Sequence, residues 1–109
     1  MRMKLFNIRE LYKEKYKEYI VGSEEIKKHS VYLVYGEASS GETREMITAG
    51  HDEILFLLSG EARLENEDMK ITLEKEQAVY MSPDEAFMFT ALSDCIYLVA
   101  GTHTAQHEH

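Results

Sequence analysis

The sequence predicts an all-β domain, a barrel or sandwich of short strands preceded by one short helix. Two observations carry this. From Val31 onward, apolar runs of strand length alternate with Gly, Ser, Asn, Asp and Pro, the pattern of many short strands in one small domain. Within them, Ile54 to Leu58 is apolar at five successive positions, which suits a strand covered on both faces rather than one with a wet side.

The first 30 residues read differently. In NIRELYKEKYKEYI, the residues Ile8, Leu11, Tyr12, Tyr16 and Tyr19 recur at three- and four-residue steps. That is the period of a helix with one buried face. Asn7 is its expected N-cap and Gly22 its stop, with the intervening Lys and Glu on a solvated side. Residues 1–30 are thus expected to form a helical extension that packs on the barrel or on a partner subunit.

The strands then follow in order: VYLVYG, TREMIT, EILFLLSG, EARLEN, MKITLE, QAVYM, AFMFTA and CIYLVAG. Ser59-Gly60 and Asn66-Glu67-Asp68 are expected to be hairpin turns. Residues 31–102 make the barrel, and residues 103–109 a polar tail carrying His103, His107 and His109. One side of the Ile54–Leu58 strand faces the interior. The other needs the N-terminal helix or a second copy, so a homodimer is expected.

Composition narrows the function classes. A chain of 109 residues is long enough for one core and not for two. Twenty acidic residues against 12 basic ones give a net charge of -8, which repels nucleic-acid phosphates and anionic membrane surfaces. No segment reaches the length of a membrane span, and MRMKLFNIRE lacks the apolar stretch of a signal peptide. A cytoplasmic protein is expected. Cys95 is the only cysteine and lies in an apolar run, as a buried core residue does. The methionines read as core filler and the tyrosine stripe of the first segment as packing.

The stretch from Gly41 to Gly60, GETREMITAGHDEILFLLSG, carries a family pattern. It resembles the first motif of the cupin superfamily, G-x5-H-x-H-x3-E-x6-G, with Gly41, Glu53 and Gly60 at the two glycine positions and the glutamate. The histidine positions fall on Ile47 and Ala49. The second motif, G-x5-P-x-G-x2-H-x3-N, falls on EQAVYMSPDEAFMFTA, with Glu76, Ser82, Asp84, Phe87 and Ala91 at the named places. The resemblance covers about Val31 to Gly101 and implies a cupin-type jelly-roll barrel, also called a double-stranded β-helix.

In that family, three histidines and the glutamate bind a divalent transition metal. Here three of those four positions are apolar and only Glu53 remains, so no bound metal cofactor is expected. If a metal does bind, His51 and Glu53 are its candidate ligands, and a third would have to come from His29 or the tail. The family's inward positions imply instead an apolar pocket. Ile47, Ala49 and Phe87 would line it with Glu53 at its edge or floor, Phe89 beside Phe87, and Tyr35 and Tyr97 on the walls. A carboxylate in such surroundings should have a raised pKa, fitting it to hold a ligand hydroxyl or amine or to act as a general acid or base. Alternatively, Glu53 accepts hydrogen bonds from the turn at Gly50–Asp52, or from Arg44 or Arg63. The function expected is a binding module for a small metabolite. An oxygenase or isomerase with a rearranged metal site, and a metal-independent sugar-nucleotide isomerase, are the enzymatic alternatives.

Overall fold

A computed structural model describes residues 3–12, 17–21 and 30–102. Nine strands form two antiparallel sheets. The first has the order β1-β2-β9-β4-β7, with β1 Glu18–Val21, β2 Val31–Ala38, β4 Asp52–Ser59, β7 Ala78–Met81 and β9 Cys95–Thr102. The second has the order β3-β8-β5-β6, with β3 Thr43–Ile47, β5 Ala62–Glu65, β6 Lys70–Leu73 and β8 Ala86–Ala91. A four-residue helix, α1 (Ile8–Leu11), precedes them. The described residues are therefore a β-sandwich.

Strand alternation builds the core. In β4, Leu55 and Leu57 point inward and are fully buried, whereas Ile54 and Leu58 point out and are 50% and 42% exposed. From the second sheet, Leu64 and Phe89 face them, with Met81, Tyr97 and Val99 from the first. Burial of each such side chain contributes about 1.5–3 kcal/mol. The apolar run at 54–58 thus has one covered face. Its outer face stays open among the described residues, where Ile54 sits beside Tyr80 across the β4–β7 ladder. Cys95 is a buried, free thiol, as expected of a core residue.

Three local expectations are corrected. The helix expected from Asn7 through Tyr19 is confined to Ile8–Leu11, although Asn7 caps it, its side chain accepting from the Glu10 amide. Glu18–Val21 is instead an edge strand paired with Leu33–Gly36 of β2. Four ladder positions on an existing sheet outweigh a helical period that α1, with no buried residue of its own, could not convert into packing. The proposed stop at Gly22 lies outside the described residues.

Ser59-Gly60 is no hairpin either, because β4 and β5 belong to different sheets. Gly60 turns the chain across the sandwich at φ 90°, and a Cβ there would lie 2.2 Å from the Asp94 carbonyl oxygen. By contrast, Asn66–Asp68 does close the β5–β6 hairpin. The Asn66 side chain accepts from the amides of Asp68 and Met69 at 2.8 and 3.0 Å, a side-chain-stabilised turn.

The third correction concerns Tyr35. In β2 it lies opposite Leu98 of β9, on the outer face of the first sheet. There Tyr12 packs edge-on against its ring at 5.2 Å, and its hydroxyl donates to Glu37 at 2.7 Å. Arg9 of α1 bonds the same Glu37 at 3.0 Å. Tyr35 is 6% exposed because the N-terminal segment covers it, not because it lines an interior pocket.

Candidate functional site

The inner face of the five-stranded sheet carries a repeated arrangement. Tyr32 of β2, Gly101 of β9 and Glu53 of β4 stand in one row across the ladders. A Cβ on Gly101 would lie 2.4 Å from the Tyr32 ring and hydroxyl, so the ring lies over the bare glycine. From there its hydroxyl reaches two strands away and donates to Glu53 Oε2 at 2.5 Å. The sequence permits this only because position 101 has no side chain.

His51 completes the group. Thr48 to His51 form a tight turn closed by the His51 amide on the Thr48 carbonyl at 3.0 Å. Both central residues have positive φ, Ala49 at 52° and Gly50 at 85°, the feature of a type I′ turn. Thr48 anchors it, 1% exposed, its hydroxyl donating to the Glu85 carbonyl and accepting from the Glu85 amide. The turn sets His51 Nδ1 2.9 Å from the Tyr32 hydroxyl. When Glu53 is ionised and accepts the hydroxyl's single proton in a hydrogen bond, the hydroxyl accepts from His51 and Nδ1 is the protonated ring nitrogen. The chain of bonds runs from His51 through Tyr32 to Glu53.

Burial raises the Glu53 carboxyl above its ordinary value; the hydrogen bond from Tyr32 opposes this and the nearby Glu18 charge adds to it. The Tyr32 phenol is raised too, first by burial and then by its bond to Glu53. Glu53 thus has Tyr32 as its partner rather than the turn amides, Arg44 or Arg63.

These groups line a cavity of about 500 Å³ at one end of the sandwich. Val34, Met46 and Val99 supply an apolar floor, Ile20, Val31 and Ile47 an apolar rim, and Glu18, Glu45, Glu53, Tyr32, Thr48 and His51 the polar groups. At the other end, a groove of about 890 Å³ is lined by Arg9, Lys17, Glu37, Glu42 and Arg44 among others. There the charges satisfy one another: Arg9 with Glu37 at 3.0 Å, Lys17 with Glu42 at 3.7 Å and Arg44 with Glu42 at 3.3 Å.

The residues expected to line a pocket separate accordingly. Ile47, Ala49 and Glu53 do line the cavity, with His51. Ile47, however, is 55% exposed and sits with Ala49 at the rim rather than in the interior. The inward residues before Glu53 are Met46, paired with Phe87 across β3–β8, and Thr48. A shift of one residue in a strand exchanges the two faces, so Ile47 and its buried neighbour Met46 lie on opposite faces of β3. Phe87 and Phe89 share the inward side as expected but belong to the core, as does Tyr97. Tyr35 is on the other face. His29 and the tail histidines lie outside the described residues. Tyr32 was missed; the signal that could have found it is the glycine inside the apolar run CIYLVAG, which marks a close approach.

No protein-family model matches the chain, and no curated protein sequence does. Solved structures do. A Cupin 2 conserved barrel domain protein from Salinispora arenicola CNS-205 superposes with a TM-score of 0.78 at 10% identity, over 96% of this chain and 92% of that one. The chain has a cupin-type fold. The Cupin_2 domain of an XRE family transcriptional regulator from Enterobacter cloacae matches with a TM-score of 0.66 at 15% identity, covering 82% of this chain and 99% of that domain. Against an HTH_3 family transcriptional regulator from Vibrio cholerae, the TM-score is 0.61 at 9% identity; 70% of this chain spans 44% of that protein.

Cupins commonly hold a transition metal through imidazoles and a carboxylate, so the donor set here decides whether one would fit. The corresponding inward side chains are Met46, Thr48, Glu53 and Phe87. The Thr48 hydroxyl is engaged with Glu85, and His51 and Glu53 both converge on the Tyr32 hydroxyl rather than on a shared open point. Among the described residues no group of three His, Cys, Asp or Glu is placed to hold a metal ion. These residues do not fit the imidazole-rich site such metals require.

Proposed function

We propose that this protein binds a small, partly apolar metabolite in the cavity over Tyr32, Glu53 and His51, without a resident catalytic metal. The observation that carries the reading is the Glu53 carboxylate, partly desolvated and aimed by a tyrosine, at the wall of a cavity whose floor is apolar. That is the composition of an ordinary small-molecule site: mostly apolar, with a few polar groups fixing orientation. Glu53 accepts one bond from Tyr32, and its second oxygen has no protein donor among the described residues. It is the natural anchor for a ligand N–H or O–H.

In this reading the two sheets close as a jelly-roll barrel whose open end is the cavity. A second copy covers the outer face of the five-stranded sheet, where Ile54, Leu58 and Tyr80 are 50%, 42% and 57% exposed, an apolar patch of the kind that marks an interface. The net charge of -8 supports a small-molecule partner over nucleic acid. Among the described residues no helix is long and apolar enough to cross a membrane.

Metal analysis of protein purified without a tag, together with thermal-shift screening of metabolites, tests this. Metal-free protein whose melting temperature rises with a small metabolite supports it, because a ligand confined to the native state stabilises by mass action. Stoichiometric Fe, Mn, Ni or Zn that disappears in His51→Ala would overturn it in favour of a metal-dependent oxygenase or isomerase using His51 and Glu53.

A further inference from the structure

The cavity's ionisable lining is predominantly acidic among the described residues. Glu18 from β1, Glu45 from β3 and Glu53 from β4 contribute carboxylates, and His51 is the one basic side chain; no Lys or Arg among the described residues lines it. This is not the general composition of the surface, since the opposite groove holds Arg9, Lys17 and Arg44 together. Arg44, on the same strand as Met46, has been turned away from the cavity: its guanidinium bonds Tyr97, Glu42 and the carbonyls of Lys17 and Glu37.

Resting on the reading of this cavity as a ligand site, we propose that its ligand is an ammonium ion, a primary or secondary amine on a short apolar body. The amine nitrogen sits against Glu53 Oε1, the oxygen that Tyr32 leaves open. A carboxylate or phosphate ligand would meet three glutamates with no Lys or Arg among the described residues to offset them, and like charges at close range in a partly desolvated site repel strongly. A neutral ligand would satisfy Glu53 through one hydrogen bond but leave its charge uncompensated. A cation does both, as a charge-assisted bond. The body of the ligand lies on Val34, Met46 and Val99, and Ile20, Val31 and Ile47 close around it. Volume agrees: about 500 Å³ falls within the range of small-ligand sites.

Three probes with one 3-methylbutyl body and different charge test the assignment: 3-methylbutylammonium, 3-methylbutan-1-ol and 4-methylpentanoate. Each is titrated into the full chain at pH 7 and followed by amide chemical shifts. The ammonium ion should bind at least about tenfold tighter than the alcohol and shift the amides of residues 48–53 and of Tyr32, while the carboxylate should not saturate. Glu53→Gln should weaken the ammonium by about tenfold or more and the alcohol far less. Glu45→Gln, at the exposed rim, should weaken it about two- to threefold. An unchanged spectrum outside the cavity establishes that each variant is folded; if Glu53→Gln does not fold, the ranking of the three probes on the native chain decides. Alcohol binding as tight as the ammonium, or a carboxylate that binds best, overturns the ligand class and leaves the cavity standing as a ligand site. Failure of all three to shift cavity residues overturns both.

Discussion

The same device occurs twice on the inner face of this sheet. Tyr97 of β9 lies over Gly36 of β2, where an added Cβ would fall 2.4 Å from the ring, and its hydroxyl donates to Glu18 of β1 through a short bond. Tyr32 of β2 lies over Gly101 of β9 and donates to Glu53 of β4. What surrounds each row differs. The first is sealed at its tyrosine, though Glu18 also edges the cavity: Tyr97 is fully buried, Phe89 packs on it at 5.0 Å, and Arg44 donates to its hydroxyl at 2.8 Å. The second has His51 in place of the arginine and a cavity in place of the core. An identical reach from tyrosine to carboxylate is therefore structural where a cation and an aromatic ring close it. Where both are withheld, the tyrosine–carboxylate pair opens onto the cavity.

Glycine substitutions should break the comparison most sharply. Gly36→Ala forces a fully buried ring to move against Phe89 and Arg44, and overpacking of this kind costs about 3 kcal/mol, read from the midpoint of urea unfolding. Gly101→Ala should cost less, about 1 kcal/mol, because the half-buried Tyr32 has the cavity to move into. It should separate Tyr32 from Glu53 and abolish the shift of cavity amides on addition of ligand. Equal losses of stability from the two would mean that the rows do not differ as described.

The smallest expected effect is in pH dependence. Glu53 sits above its ordinary value of 4.5 in the folded protein, so the native state binds this proton more tightly than the unfolded chain does. Stability from this group is then present below about 4.5 and is lost as pH rises through the raised folded value. Melting temperatures of the wild type and Glu53→Gln, compared from pH 4 to 7, should diverge upward through that window in favour of the variant. Parallel curves would place Glu53 in ordinary solvent. Tyr32→Phe should push the Glu53 value higher still, because the bond it removes favours the ionised form.

Much of the fold was legible because the signals are local. The runs from Val31 to Gly101 alternate at strand period, and Asn66–Asp68 carries its own turn chemistry. Where a segment fits two periods, local pattern did not decide. Tyr19 serves as well in a helix face as opposite Tyr35 on a sheet edge, and the neighbouring strand chose. Glu53 and His51 stood out as chemistry in an apolar stretch, but their partner Tyr32 lies 21 and 19 residues away in sequence and meets them only through a third strand. The motif spacing selected Ile47 and Ala49, which line the cavity at its rim, while the buried side chains beside them are Met46 and Thr48, a division that alternation alone does not expose until the register with Phe87 is known.

The bare backbone at Gly101 also sets an order on change. A side chain gained there while Tyr32 is present must displace the ring, whereas Tyr32 can shrink at no such cost. Substitutions at these two positions should therefore be strongly non-additive: the cost of a side chain at 101 depends on whether the ring is there to be displaced.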